Sequence, residues 1–262
     1  MRELLDGTFA EPLDPVEAAR RAMRPPPRRR FYEHAQVRHN QVKADEGEFC
    51  VTLDGRVVKT PSGRTLAVPA RALAEALVAE WEGQQSSIDP LKMPLTRLAN
   101  SIIDGVAPAP SEVAAEVKKY LASDLVCYRA ESPEGLVERQ AAAWDPILDW
   151  VSTSLGARFV VGAGIRPVNQ PPEALCAACA AIPDHPWPLG AVHSMTTLTG
   201  SALIALSVAH DALSVHRAWS AAHVDEDWNM ELWGSDELAL KHRAFRRAEF
   251  EAAAQLLRSV AR

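Results

Sequence analysis

An acidic segment between residues 225 and 237 is the densest group of side chains that could do chemistry. It mixes carboxylates with tryptophans, namely Asp225, Glu226, Asp227, Trp228, Glu231, Trp233, Asp236 and Glu237. Paired carboxylates can exchange protons with a substrate as general acid and base. One hypothesis is therefore a metal-independent hydrolase or lyase that uses Asp225, Glu231 and Glu237. Aromatic side chains among charges are also typical of protein-binding surfaces, and the pattern by itself leaves both alternatives open.

Glu237 also has a purely structural interpretation. Ser235 is suited to be the N-cap of a helix, which would put Asp236 and Glu237 in the first turn. Negative charges in that position are favoured by the positive end of the helix dipole. From the pattern alone, this structural role is the simpler one.

The cysteines and histidines give little support to metal or redox chemistry. Cys176 and Cys179 form a CxxC pair, but a zinc site needs four ligands, and Cys50 and Cys127 lie about fifty residues or more away. We expect the pair to be two small residues that pack inside a helix. The eight histidines are scattered without an HExxH pair, and no phosphate-loop or serine-hydrolase motif is present. The sequence therefore predicts neither a metal site nor a cofactor.

The charge and composition of the chain argue against several classes of protein. Its 262 residues carry 28 basic and 34 acidic side chains, a formal net charge of −6, which disfavours a nucleic-acid binder. No apolar run approaches the roughly 18 to 20 residues of a membrane helix. The acidic N-terminus resembles neither a signal peptide nor a transit peptide. We therefore expect a soluble cytoplasmic protein that does not bind membranes.

Residues 1–27 are predicted to be an N-terminal extension that ends in a Pro/Arg linker. Six arginines fall within eleven residues around Pro25-Pro26-Pro27, and consecutive prolines favour a stiff, extended chain. The arginines could bind a polyanion, or hold the partner of a generic adaptor protein. The negative charge of the chain favours a third alternative, a tail that docks on the protein's own acidic surface.

Residues 28–108 are predicted to form a small α+β domain. Alternating apolar residues indicate three strands, over 48–53, 56–60 and 65–68. The first two strands are joined by Asp54-Gly55, which suits a type I′ turn, so we expect an antiparallel meander. The apolar period then becomes helical, with Leu73, Leu77 and Trp81 on one stripe.

Residues 109–262 are predicted to form an all-helical domain. Ser111 is suited to cap its first helix, and Pro146 should bend or divide a long helix over 134–155. The remaining helices are expected at 171–182, 189–209, 212–230 and 235–260. The predicted fold class is thus α+β, with a small antiparallel-sheet N-terminal domain with helices followed by an all-α C-terminal domain.

Seven short strings of the chain are weak singly but specific in their order and spacing. They are Arg30-Phe31-Tyr32, the segment 51–61, Glu80-Trp81-Glu82-Gly83-Gln84, Met93-Pro94-Leu95-Thr96, the segment 120–124, Gln140 with Trp144-Asp145-Pro146, and Trp233-Gly234 with Glu237. As a set, from about residue 28 to 250, they resemble the family of assembly chaperones for the α subunit of the F-type ATP synthase catalytic sector.

This resemblance implies the architecture given above, no cofactor and no catalysis. Members of the family hold the free α subunit until the β subunit replaces them, so the implied partner is that α subunit. Relatives carry a functionally important glutamate four residues after the Trp of the Trp-Gly pair, which is Glu237 here. We predict a partner-binding set of Glu237, Trp233, Asp236, Glu231, Trp228 and Asp227. We also expect the chaperone to be monomeric when it is free.

Overall fold

The structure, a computed structural model, describes residues 28–40, 47–164 and 166–260. The extension predicted at 1–27, with its arginines, lies outside the described residues. Within the described ranges, no helix is both long and apolar enough to cross a membrane.

A small antiparallel sheet occupies the first part of the described chain. Its strands are β1 (Ala35–His39), β2 (Phe49–Leu53), β3 (Arg56–Val57) and β4 (Ala67–Val68). β2 is the central strand, because β1 pairs along one edge while β3 and β4 follow one another along the other. Asp54 and Gly55, between β2 and β3, both have positive φ, 47° and 78°, as the predicted type I′ turn requires.

The last strand departs from the predicted meander. β4 pairs with the central strand through Cys50 and Ala67, and the segment before it meets β3's continuation at a bridge between Lys59 and Thr65. Ala67 and Val68 are fully buried. Pairing with β2 places both residues in the core, which an outer position beyond β3 would not do.

Helices make up most of the remaining chain. They are α1 (Arg71–Glu82), α2 (Pro94–Ser101), α3 (Pro110–Ala122), α4 (Glu134–Ser154), α5 (Pro172–Ala180), α6 (Pro186–Thr199), α7 (Ala202–Ala209), α8 (Val215–Ala222), α9 (Val224–Trp233) and α10 (Glu237–Val260). Shorter pieces lie between them, namely 3-10 turns at Pro90–Lys92 and Leu125–Cys127, a π-helical turn at Ile102–Val106, and a two-stranded parallel sheet of β5 (Tyr128–Arg129) and β6 (Gly162–Ala163).

Proline accounts for two differences from the predicted helices. α3 begins at Pro110 without a Ser111 cap, because the fixed φ and missing N–H of proline suit the first helical position. α4 runs unbroken with Pro146 inside it, so the predicted division does not occur. Trp144 and Ile147 on either side are buried in the core, and this packing holds the helix together despite the hydrogen bond that Pro146 removes.

Two of the predicted helices are each divided in two. The first leaves the helical path at Gly200, whose φ is 71°, and Ser201 then caps α7 by accepting a hydrogen bond from the backbone N–H of Ile204. The second is divided at His223, between α8 and α9, where the backbone is not helical. Apolar residues continue across the first break, so their periodicity could not predict it.

One contiguous hydrophobic core joins the sheet to the helices. Val51 and Leu73, from the first predicted domain, belong to the same buried cluster as Trp144 and Phe250 from the second. α10 packs along α6 and also contacts α2 and α1. The division of the chain into separate domains at 28–108 and 109–262 stays a prediction.

Candidate functional site

The corner between α9 and α10 projects from the body of the protein. All residues of 232–242 are exposed, and we call this segment the tip. α9 ends at Trp233 because Gly234 adopts φ 82° and ψ 178°, a conformation open to glycine but strained for other residues. α10 then begins at Glu237. The sequence predicted a helix start at this position, and in the structure that start lies at an exposed corner.

Four large apolar side chains of the tip are exposed to solvent. Trp233 keeps 84% of its surface accessible, and Leu232, Leu238 and Leu240 are 56%, 48% and 44% exposed. Single exposed apolar residues are ordinary, whereas several together mark a surface that another molecule covers. Trp233, one of the predicted partner-binding residues, is therefore accessible to a partner. Its role in binding stays a prediction.

Asp236 and Glu237 take different positions at the start of α10. Asp236, not Ser235, is the cap, because its Oδ2 accepts from the N–H of Ala239 at 3.2 Å and its carbonyl accepts from Leu240 at 3.0 Å. Glu237 is exposed and its Oε1 lies 2.7 Å from the Nζ of Lys241, one turn along the helix. The predicted cap at Ser235 is therefore wrong, while the placement of Glu237 in the first turn is correct.

Arg139 of α4 engages two of the other predicted partner-binding residues. Its guanidinium donates to both carboxylate oxygens of Glu231, at 2.8 and 2.7 Å. Its central carbon lies 4.9 Å from the ring centroid of Trp228, a cation–π contact. The hydrogen bond from Arg139 lowers the pKa of Glu231. Glu231 and Trp228, both predicted to bind the partner, therefore already contact Arg139 within the chain.

The remaining acids of α9 also have partners within the chain. Asp227 forms an ion pair with Arg243 of α10, and Asp225 accepts a hydrogen bond from the side-chain amide of Gln140 at 2.7 Å. The structure therefore separates the predicted site into two groups. Trp233, Asp236 and Glu237 lie at the tip, whereas Asp227, Trp228 and Glu231 face α4 and α10.

The hydrolase or lyase hypothesis needs carboxylates that converge on a cavity with at least one raised pKa. A cleft of about 360 Å³ between α4 and α9 is lined by Glu231 and Asp227, but each of these carboxylates is ion-paired to an arginine. The pKa of Glu231 is lowered, which is the wrong direction for a general acid. Glu237 points elsewhere, on the exposed tip. The arrangement offers no acid and base pair at this cleft.

Two carboxyl groups with raised pKa values occur elsewhere, at helix starts, where Glu80 is half-buried and Asp124 is fully buried. Burial raises the pKa of Glu80, whose oxygens accept from the N–H groups of Leu95 and Thr96, each at 2.7 Å, at the start of α2. Burial likewise raises the pKa of Asp124 to about 6, although donors such as Ser201 oppose the shift. Both residues belong to the strings that carry the family resemblance, and here they hold elements together.

The CxxC pair lies on α5, away from the tip. Cys176 is exposed and Cys179 is half-buried, whereas Ala174 and Ala178 face the core. The expectation that both cysteines are helix-packing residues is therefore wrong for Cys176, because Ala174 and Ala178 occupy the face of α5 that packs on the core. Across the described ranges, no group of three or more His, Cys, Asp or Glu residues could hold a metal ion.

A second cavity was not predicted from the sequence and lies far from the acidic segment 225–237. It measures about 960 Å³ and is formed where the ends of α5, α7 and α10 meet, with Ile182, Val208 and Leu257 in its walls. Twenty residues of α10 separate Glu237 from Leu257, about 30 Å along the helix axis. Its lining comes from four separate stretches of sequence, and no local pattern brings them together.

Comparison with known proteins identifies the family. The model of the ATP12 chaperone protein family matches residues 29–152. The Atu1473 protein of Agrobacterium tumefaciens is 42% identical with a TM-score of 0.85, and the match covers 96% of this chain and 92% of that one. Atp12 from Paracoccus denitrificans is 37% identical with a TM-score of 0.79, covering 88% of this chain and 97% of that one.

A eukaryotic relative extends the same similarity. The mitochondrial protein atp12 of Schizosaccharomyces pombe is 25% identical over 229 residues, which are 80% of this chain and 75% of that protein. The crystal structures confirm the predicted α+β fold class, and the family match confirms the resemblance drawn from the seven strings. The chain belongs to the ATP12 chaperone family.

Proposed function

We propose that the protein binds the free α subunit of the F-type ATP synthase and promotes assembly of the catalytic α/β ring. It covers a subunit interface of α until the β subunit replaces it, and it does so in the cytoplasm and without catalysis. A subunit destined for a ring exposes large apolar faces before assembly, and such faces aggregate or pair wrongly. Membership of a chaperone family supports this proposal.

The observation that carries the proposal is the exposure of Trp233 among the acids of the tip. Trp233 is 84% exposed, and Leu232 and Leu238 stand exposed beside it. Tryptophan is enriched among the residues that dominate binding energy at protein interfaces. A projecting corner can reach into a concavity of the partner, where a large ring is fully desolvated on binding.

The carboxylates of the tip add a preference for a basic partner surface. Glu237 pairs with Lys241 through an exposed ion pair, which water and salt weaken. A cationic group on the α subunit can compete with Lys241 for this carboxylate. Charge pairs across an interface fix the register of docking and speed association more than they add affinity.

The test compares Trp233→Ala with a control substitution at another exposed apolar residue. Free α subunit is captured on tagged protein, with Val161→Ala as the control because Val161 is an exposed apolar residue distant in sequence from the tip. Loss of a hot-spot side chain costs about 2 kcal/mol or more, so Trp233→Ala should weaken capture about 30-fold. Equal capture by both variants would refute the tip as the binding site, and no capture by the unmodified protein would refute the function.

A further inference from the structure

α9 lies against α4 without burying any of its own residues. α8, just before it, is anchored differently, since Ala218, Trp219 and Ala221 are buried and the indole of Trp144 donates to the carbonyl of Ala221 at 2.7 Å. The boundary is His223, whose side chain is buried against Trp219. Beyond His223 the hydrophobic attachment is weaker, because Val224 and Trp228 of α9 are only half-buried where they pack on the core and against Gly135 of α4.

Side-chain pairs hold α9 in its place. The bond between Arg139 and Glu231 joins groups that are 45% and 58% exposed, and an ion pair of this kind shifts an equilibrium by a factor of about 1.5 to 5. The pair of Asp227 with Arg243 is less exposed, and Gln140 adds a hydrogen bond to Asp225. Such contacts favour the attached state without making it permanent.

The surface beneath α9 is suited to meet another molecule. The cleft of about 360 Å³ is lined by small and apolar residues, including Ala142, Ala143, Pro146 and Ala221, together with polar residues of α4 and α8, namely Arg139, His216, Arg217 and Ser220. Because Pro146 has no N–H, the carbonyl of Ala142 lacks its helical donor. Detachment of α9 would widen this cleft and expose a mixed apolar and basic surface with an available backbone acceptor.

We propose that α9 is a releasable strap, which detaches from α4 when the client binds at the tip and adds the cleft to the binding surface. Asp227, Trp228 and Glu231 then hold the strap and do not contact the client. This assigns the predicted partner-binding residues to two roles, contact at the tip and latch on α4. The client's part in release rests on the proposed function, whereas the weak attachment of α9 does not.

Hydrogen exchange of the full-length protein tests the latch without any client. An isolated helix of ten residues is not stable in water, so the amides of α9 exchange when it detaches. The double variant Glu231→Gln, Asp227→Asn should raise exchange in α9 about tenfold and leave α8 and the melting temperature unchanged. Glu75→Gln, which breaks an exposed pair with Arg71 on α1, is the control. Unchanged exchange in α9 would overturn the proposal.

Capture of the α subunit then separates a latch from a contact. If Glu231 and Asp227 hold a strap, their removal raises the fraction of open protein, and capture tightens by up to the same tenfold. If they touch the client, the double variant binds more weakly, which would overturn the strap. If no protein captures α, the proposed function fails while the exchange experiment still decides whether α9 is releasable.

Discussion

At the scale of single residues, the partner of each carboxylate determines its role. Glu80, which is half-buried, and Asp124, which is fully buried, accept hydrogen bonds from backbone N–H groups at helix starts, so removing either would leave those donors unsatisfied. Glu231 is bound to Arg139. Glu237 has an exposed lysine beside it, which leaves its charge available to an incoming partner. These environments predict different responses to substitution and to pH.

Asp124 should make the protein less stable as pH rises from about 4 to about 6. Burial raises its pKa from 3.8 to about 6, so the folded state holds a proton over a range in which the unfolded state has released it. The free energy of unfolding should then fall by about 1.4 kcal/mol per pH unit in that window, about 3 kcal/mol in total.

Urea unfolding at a series of pH values, on the unmodified protein and Asp124→Asn, measures this contribution. The difference between the two curves should change across the window and be constant above about pH 7. Parallel curves throughout would mean that Asp124 is ionised in the folded protein, held by the N–H groups around it.

Glu237 should matter for partner binding and not for stability. Glu237→Gln should weaken capture of the α subunit about 30-fold or more if the carboxylate meets a cation in a desolvated contact. Glu237→Lys should abolish capture by like-charge repulsion. Glu75→Gln is a matched control, because Glu75 also forms an exposed pair one helical turn away, with Arg71.

Thermal unfolding and α-subunit binding should be measured on the same preparations of these variants. We expect unchanged melting temperatures for all of them. Wild-type binding by both Glu237 variants, or a loss of binding that follows a loss of folding, would leave Glu237 as a helix-start residue only.

At the scale of elements, Trp81 fastens α1 to the sheet. Its ring packs against the main core and against a second, smaller cluster that contains Tyr32 and Met93, and it lies edge-on to Tyr32, at 5.8 Å between centroids. Trp81→Ala should lower the free energy of unfolding by about 3 kcal/mol, because it leaves a cavity between sheet and helix.

Trp81→Phe should cost only about 1 kcal/mol, although it also removes ring volume. Among the described residues nothing accepts a hydrogen bond from the buried indole N–H of Trp81, so its loss offsets part of the lost packing. Chemical denaturation of both variants checks the ranking, and an unchanged midpoint for Trp81→Ala would place the ring outside the core.

The elements themselves could largely be predicted, because their apolar periods are local. α1, α4 and the hairpin at Asp54-Gly55 lie where the sequence predicted them. The breaks at Gly200 and His223 were missed, since apolar residues continue past the first and the second depends on how His223 packs on Trp219. The start of α3 lies two residues before the one that a Ser111 cap predicted, because Pro110 suits the first helical position. The start of α10 lies one residue after the one that a Ser235 cap predicted, because Asp236 makes the capping bond.

The site was predictable in composition but not in arrangement. Acids and tryptophans between residues 225 and 237 could be read as a partner surface from their types alone. Arg139 lies 92 residues from Glu231, and nothing in the local pattern of either shows that they meet. Long-range pairing of this kind divides the predicted set into a tip and a latch, and it requires the folded structure.

At the scale of the whole molecule, a single core supports a small exposed tip. α10 begins in the exposed tip and continues into the core, where Phe250 and Leu256 are fully buried. α10 is therefore anchored in the core towards its C-terminal end and exposed at its start. A typical stable interface involves about 20 to 30 residues on each side, and the tip, residues 232–242, has eleven. Its hold on a partner should be moderate.

That moderate hold leads to the last prediction, displacement by the β subunit. A complex of this protein with the α subunit, isolated by size exclusion, should release the chaperone when β is added, because the larger α/β interface competes for the same face. The chaperone should return to its free elution volume in proportion to the β added. An equal concentration of serum albumin is the control and should release none. A stable complex of all three proteins would show that the chaperone and β occupy different faces of α, and would contradict a role in covering the ring interface.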